Sequence, residues 1–382
     1  MEVVPFTIDV PESDLTDLRE RLMRARFPVT LAEDDWSYGT SAAFMRELRD
    51  YWLEEYDWRR EEARLNALMP QFIAEVDGRR IHFVHARAET ADALTLVMTH
   101  GWPGSIAEFH KVVEPLTCPQ RYGGDPADAF DVLCPSMTGY GWSEPWPESG
   151  CDARMVAERQ VKLLHGLGIE RYAVQGGDWG GVVSPYMAML DPERVVGVHL
   201  NMCSTRSTDD PDEARAQGVM PGRTCISVEY YREQRGYAVI QSLKPDQLAY
   251  ALNDSPLGLA AWIVQCFYLW GDLSDGRVES RFSKDELLTN IMIYWVTGSI
   301  GSAIRLYRES LRAGTFGPPV GYVAAPTGVA LFKDIPRPKR AWAEAAYNIQ
   351  RWSLMPEGGH FAALEAPGLL VDDIRAFFRP LR

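Results

Sequence analysis

Tyr172-Ala173-Val174-Gln175-Gly176-Gly177-Asp178-Trp179-Gly180-Gly181 is the stretch from which the rest of the chain is read. An apolar strand runs into Gly-x-Asp-x-Gly and a helix leaves it. Small residues on either side of the central position permit a sharp turn that lifts one side chain above a sheet, and this is the layout of a nucleophile elbow. Asp178 stands where a serine is usual. Alone, the five residues are an ordinary glycine-rich turn. The strand before them, and a histidine far downstream, give them chemical meaning.

Working outward, short apolar runs alternate with helical stretches. Leu94–Thr99 is apolar throughout, as a strand covered on both faces should be. Phe130–Cys134, Tyr172–Gln175 and Val195–Leu200 are similar, with a helix-like Ala153–Leu167 between, and this rhythm predicts a mostly parallel sheet. Before it, Phe72–Val76, the turn Asp77-Gly78 and Ile81–Val84 read as a hairpin. Residues 1 to about 70 read as helical: Leu15, Leu18 and Leu22 recur at helical spacing behind Glu12, Ser13 and Asp14, and Phe44, Leu48, Trp52 and Tyr56 form a second stripe. From about 205 to 318 strands give way to aromatic-rich helical segments, Asp246–Leu252, Leu257–Trp270 and Leu287–Ser310. Thr327–Phe332 and Trp352–Met355 resume as strands, and Leu369–Phe378 closes as a helix. A helical block inserted before the last strands is how an α/β-hydrolase carries a cap. The expected division is therefore an N-terminal extension (1–70), a core in two parts (71–204 and 319–382) and a helical cap (205–318).

The downstream histidine is His360, in Glu357-Gly358-Gly359-His360-Phe361, just past a strand. Asp178, Asp334 and His360 follow the nucleophile–acid–histidine chain order of this fold. Asp334 directly follows the strand ending Leu331-Phe332-Lys333, at a carboxyl end, where open sheets build their sites. Glu344, Glu357 and Glu365 compete for the acid's place. His100-Gly101-Trp102-Pro103-Gly104-Ser105 follows Leu94–Thr99, and the backbone N–H groups of Trp102 and Trp179 are the expected oxyanion hole. His100 reads as structural, and Trp102–Pro103 is placed where a cis bond is an option.

Bulk properties exclude other classes. The 382 residues carry a net charge of −14 with no basic run, so a phosphate backbone would be repelled and no nucleic acid is expected as a partner. The six cysteines have no metal-like spacing and read as reduced thiols. The start, Met-Glu-Val-Val-Pro-Phe, lacks the basic and apolar regions of a signal peptide, and no apolar run is long enough to span a membrane. A cytoplasmic protein is expected, a homodimer is allowed, and neither cofactor nor metal is called for. Arginine outnumbers lysine, which suggests a bacterial source.

At these residues the chain resembles the microsomal-type epoxide hydrolases, a group with soluble fungal and bacterial members and the juvenile-hormone hydrolases. The resemblance runs almost end to end. It covers Pro5-Phe6, Leu18-Arg19, Arg21-Leu22, Arg26-Phe27-Pro28, Tyr56-Asp57-Trp58-Arg59 and Pro70-Gln71-Phe72 in the first segment, then His100–Ser105, Gly176–Gly180 and Gly358–Ala363. It implies two cap tyrosines, which map to Tyr237 and Tyr307; Tyr230 and Tyr231 are the local competitors of the first. Thr138 stands where the family usually has proline, and the membrane anchor of vertebrate members is missing. The implied activity is epoxide hydrolysis to a vicinal diol. Asp178 would form a covalent ester, Tyr237 and Tyr307 would protonate the leaving oxygen, and His360, oriented by Asp334, would activate water. Epoxide and water are then the small-molecule partners. The aromatic residues Trp262, Phe267, Tyr268, Trp270, Tyr294 and Trp295 point to a large or aromatic epoxide, from bacterial secondary metabolism or detoxification. A haloalkane dehalogenase, with Trp179 holding halide, is the nearest rival. A non-catalytic binding module of the same fold is the other.

Overall fold

The computed structural model describes residues 1–31, 33–336 and 338–382. In chain order the strands are β1 (Val3–Phe6), β2 (Gln71–Val76), β3 (Arg79–Ala86), β4 (Leu94–Thr99), β5 (Phe130–Pro135), β6 (Tyr172–Gly176), β7 (Val195–Leu200), β8 (Val323–Leu331) and β9 (Tyr347–Leu354). They form one sheet in the order β1-β2-β3-β5-β4-β6-β7-β8-β9. Pairing is antiparallel from β1 to β5 and parallel from there to β9. Every residue of β4 and β6 is buried, because helices cover both faces. The helices Ala153–Gly166 and Gly180–Leu190 make the crossovers on either side of β6. This is the α/β-hydrolase fold, with helices inserted between β7 and β8 and a largely helical segment ahead of β2.

The structure corrects several sequence expectations. The first segment is not wholly helical: Val3–Phe6 adds an edge strand, with Val3 opposite Ala74 and Pro5 opposite Phe72. Proline is tolerated at an edge, where its missing N–H disrupts no ladder, and four residues are too few to show a period. The run Leu287–Ser310 is two helices, Lys284–Thr297 and Ile300–Ala313, bent by 90°. Gly298 ends the first in a left-handed conformation, φ 59°, and its N–H closes onto the carbonyls of Trp295 and Tyr294. Strand β9 begins at Tyr347, earlier than expected, because Asn348 and Gln350 alternate with the buried Tyr347 and Ile349 and dilute the apolar signal.

Two sets of contacts hold the inserted helices. On the core side, Asn290 Nδ2 donates to Pro103 O at 2.7 Å, and its Oδ1 accepts from Ser105 Oγ at 2.8 Å. Tyr294 OH donates to Gly104 O at 2.6 Å and Tyr140 OH to Ala303 O at 3.1 Å. On the outer side, helices of the first segment brace them. Tyr51 OH and Arg60 Nη2 bind the two oxygens of Asp285, at 2.9 and 2.7 Å. Thr40 Oγ1 donates to Ala261 O at 2.6 Å, and the Trp36 ring stacks on Tyr268 with centroids 3.9 Å apart.

At the elbow, the turn after β6 brings helix Gly180–Leu190 against the end of β4. A Cβ on Gly180 would lie 1.8 Å from the carbonyl oxygen of Thr99, and one on Gly176 would lie 2.2 Å from Gly180 O. Both obstacles are backbone and neither can swing aside. Gly180→Ala should therefore destabilise the fold by roughly 3 kcal/mol. Gly368→Ala, on a helix where an added Cβ meets nothing within 4 Å, should stay within roughly 0.5 kcal/mol of the parent. Urea unfolding of both variants checks this; coinciding midpoints would show that the Gly180 contact is relaxed in solution.

Candidate active site

Four loops at the carboxyl ends of the parallel strands converge on one point. Asp178 follows β6 in a left-handed conformation, φ 50°, which is uncommon for a residue with a side chain. The turn aims its carboxylate at the loop after β4. Trp102 N donates to Asp178 Oδ1 at 2.7 Å, and the amide of Trp179 faces the same carboxylate. Gly101 is needed beside it, since a Cβ there would sit 2.3 Å from Asp178 Oδ1. The Trp102–Pro103 bond is cis. The two expected oxyanion amides thus already hold one oxygen of the carboxylate, which leaves the other free to react. Burial raises the Asp178 carboxyl above the ordinary aspartate range, against the pull of His360 and the two amides.

His360 lies across from Asp178. Its Nδ1 is 2.7 Å from Asp334 Oδ1 and its Nε2 is 3.6 Å from Asp178 Oδ2. The His360 and Asp334 side chains are only 3% and 2% exposed, whereas Asp178 is 18% exposed, so Asp178 is the member that faces the cavity. Burial favours the neutral ring, but Asp334 and Asp178 together outweigh it and raise His360 to about 9. The rival acids are engaged elsewhere: Glu344 pairs with Arg340 and Glu357 with Arg281. Glu365 accepts from the backbone N–H groups of Asp272, Gly359 and Phe361 at 2.7, 3.0 and 2.9 Å, which clamps the loop that carries His360. His360 N itself donates to Trp270 O at 3.0 Å. His100 is buried and structural: its Nδ1 lies 3.0 Å from Gly101 O, its Nε2 accepts from Met137 N at 3.2 Å, and burial lowers it to about 4.

Tyr237, on the helix Gly236–Leu243, and Tyr307, on Ile300–Ala313, line a cavity of about 630 Å³ together with Asp178 and Trp179. Their rings are 5.9 Å apart at 81°. Trp102 stacks flat on Tyr237 at 5.2 Å and meets Tyr307 edge-on at 5.7 Å, so one indole sets the angle between the phenols. Burial pushes both phenols well above their usual range and keeps them protonated. Tyr230, a competitor in the sequence, hydrogen-bonds the Tyr237 hydroxyl at 2.9 Å, and Tyr231 lines the cavity further along. A second cavity of about 420 Å³, beside Trp146 and Cys151, includes none of Asp178, Tyr237, Tyr307 or His360 in its walls.

The aromatic residues expected to shape the substrate site do something else. None of Trp262, Phe267, Tyr268, Trp270, Tyr294 and Trp295 lines the larger cavity. Phe267, Trp270 and Tyr294 are core residues, and Trp270 packs on the His360 ring at 5.0 Å. Apolar side chains such as Val182, Met202, Leu311, Phe316 and Ile335 line the cavity instead. Sequence reading missed Glu108, Glu365 and the pairing of Tyr230 with Tyr237; only a family-wide pattern around His100–Ser105 would have drawn attention to the first.

Residues 3–109 match the family model described as epoxide hydrolase N terminus, and residues 95–222 match the α/β-hydrolase fold model. A Stigmatella aurantiaca protein that itself carries only a provisional epoxide hydrolase name is 39% identical over all of this chain and 86% of its own length. Epoxide hydrolase 1 of Oryctolagus cuniculus is 37% identical over 98% of this chain and 88% of its own. Among solved structures, juvenile hormone epoxide hydrolase from the silkworm Bombyx mori superposes with a TM-score of 0.86 at 30% identity, covering 100% of this chain and 94% of that one. Aspergillus niger epoxide hydrolase gives 0.85 at 29% identity, covering 100% and 97%. With its N-terminal region, its fold and its full-length relatives all pointing the same way, the chain belongs to the epoxide hydrolase family.

Proposed function

We propose that this protein hydrolyses an epoxide to a vicinal diol through a covalent ester on Asp178. The observation that carries this reading is the facing arrangement at the cavity floor. A carboxylate with one oxygen held by two amides looks toward two neutral phenols, with a histidine–carboxylate pair behind it. Asp178 Oδ2 attacks a ring carbon and the C–O bond breaks. The departing oxygen takes a proton from Tyr237 or Tyr307, and the phenolate is reprotonated from His360.

Charge couples the two steps. In the resting site the Asp178 carboxylate helps hold the proton on His360. Esterification removes that charge, so His360 loses its proton more readily at the moment a base is needed. Neutral His360, oriented by Asp334, then takes a proton from water, whose oxygen attacks Cγ of Asp178. The developing oxyanion sits on the Trp102 and Trp179 amides. The bond between Cγ and the substrate oxygen breaks, and the diol oxygen takes the proton back from His360. The apolar walls and the 630 Å³ volume suit a large, mainly apolar epoxide. The same geometry disfavours the dehalogenase reading, because a halide needs no proton donor and two phenols are provided here. It equally disfavours a mere binding module, because nucleophile, acid and base are all placed.

His360→Gln should alkylate and then stall, leaving protein heavier by one substrate after mixing with an aryl epoxide such as styrene oxide. In a single turnover of the parent in ¹⁸O-water the diol should be largely unlabelled and the peptide containing Asp178 should carry the label. Labelled diol at the first turnover, with Asp178 unlabelled, would replace the covalent route by direct attack of water.

Tyr237→Phe and Tyr307→Phe should each slow alkylation by roughly 10²-fold, and the double change should nearly abolish it, because both act on one oxygen and the effects are coupled. Rapid-quench measurement of adduct formation reads this directly. Parent rates in both single variants would remove the phenols from the mechanism.

A further inference from the structure

The loop His100–Ser105 wraps two carboxyl groups. Gly101 makes room for Asp178, and Gly104 makes room for Glu108: a Cβ on Gly104 would lie 2.0 Å from Glu108 Oε2. Glu108 sits on the short 3-10 turn Ile106–Phe109, which is fixed in place. Ser105 Oγ accepts from Ala107 N at 3.2 Å and donates to Asn290 Oδ1 at 2.8 Å. The side chain is thus aimed inward, under the same loop that holds the proposed nucleophile. Among the described residues no donor hydrogen-bonds the Glu108 carboxyl and no cation pairs with it. The charged groups facing it are His360, Asp178 and Glu365 from the core side. Across a cavity of about 10 Å³ stand Arg64, His110 and Glu286. Those three are otherwise engaged: Arg64 with Glu61 at 2.7 Å, His110 with Ala107 O at 2.8 Å, and Glu286 with His110 and Lys111.

A carboxyl shut away without a partner destabilises a fold, and such groups are either neutral or put to use. Burial, with Asp178 and Glu365, pushes Glu108 up to about 8 against the pull of His360. It therefore rests protonated at neutral pH. Esterification of Asp178 would remove one of the charges that keep it so. The space it lines is about that of a single water.

We propose that Glu108 is a second water-binding residue of the hydrolytic step, releasing its proton to solvent when Asp178 becomes an ester and regaining it when the carboxylate returns. The inference rests on the covalent reading above. Between those events the Glu108 carboxylate accepts a hydrogen bond from the attacking water while His360 takes that water's other proton. Hydrolysis then proceeds as described. The acid proton left on Asp178 passes to His360, and Glu108 takes up one proton from solvent, so the cycle closes without net change. A carboxylate meets the water only while there is an ester to attack.

The test is rapid mixing of excess enzyme with styrene oxide near pH 7 in weak buffer. Acid-quenched protein mass follows the adduct, and an indicator dye follows protons. In the parent, alkylation should be accompanied by release of up to one proton, taken up again as the adduct decays. Glu108→Gln should alkylate within about threefold of the parent, lose the proton signal, and hydrolyse its adduct roughly 10²-fold more slowly. Glu108→Asp should recover part of both. Parent-like decay and proton release in Glu108→Gln would overturn the inference. So would an equal slowing of both steps, with a lowered melting temperature, in Glu108→Gln and Glu108→Asp, because that pattern belongs to a loop support. His360→Gln is the control on the covalent reading: an adduct there, with an unaltered Glu108→Gln, overturns the role of Glu108 alone, whereas no adduct in any variant overturns both.

Discussion

The close backbone approach between β6 and β4 at the elbow is the constraint on which the rest of the site depends. Gly180 lies so near Thr99 O that no side chain fits between, and Asp178 is held in a left-handed turn by the strand and helix that flank it. Both elements are rigid and buried, so the strain at Asp178 is supported by the sheet. Because β4 and β6 are adjacent and parallel, the loop after one strand necessarily meets the turn after the other. The Trp102 amide therefore reaches the Asp178 carboxylate without any contribution from a flexible side chain.

Four carboxyl groups crowd this small volume, and each is treated differently. Asp334 is paired with His360 at 2.7 Å. Glu365 is stabilised by three backbone N–H groups and serves as a clamp. Asp178 shares two amides and the outer nitrogen of His360. Glu108 has none of these and is raised furthest into the neutral range, to about 8. Environment, not residue type, separates their behaviour, and this is the general way in which one site houses carboxyls for unlike tasks.

The phenols arrive from the opposite direction. Tyr237 and Tyr307 belong to helices inserted between β7 and β8, and their placement over Asp178 depends on how that insertion is seated. Asn290 and Tyr294 pin it to the backbone of Pro103 and Gly104, in the same loop that supplies the Trp102 amide. The N-terminal helices grip its far side through Asp285 and Ala261. The first segment thus contributes no group to the cavity floor and acts by bracing the helices that do.

Much of this was legible in the sequence, for a physical reason. A strand buried on both faces must be apolar, so β4 and β6 could be read residue by residue. An elbow demands small residues around its nucleophile, so Asp178 stood out. His360 and Asp334 followed from chain order at strand ends. Short or mixed signals were not legible: β1 is four residues long, β9 alternates polar and apolar residues, and the break at Gly298 hides inside an apolar run. Only the tertiary structure could turn the six cap aromatics into core and Tyr230 into a partner of Tyr237, because a side chain's neighbours are set by how distant elements pack. Glu108 is the clearest case. One glutamate among the many acids of this chain looks like a solvated charge, and nothing local says otherwise. Its significance arises only where the turn Ile106–Phe109 tucks it beneath Gly104, away from any donor and beside His360. Local sequence determined which residues can form the elbow and the strand-end triad. The desolvation and charge that give each acid its character were decided by the fold.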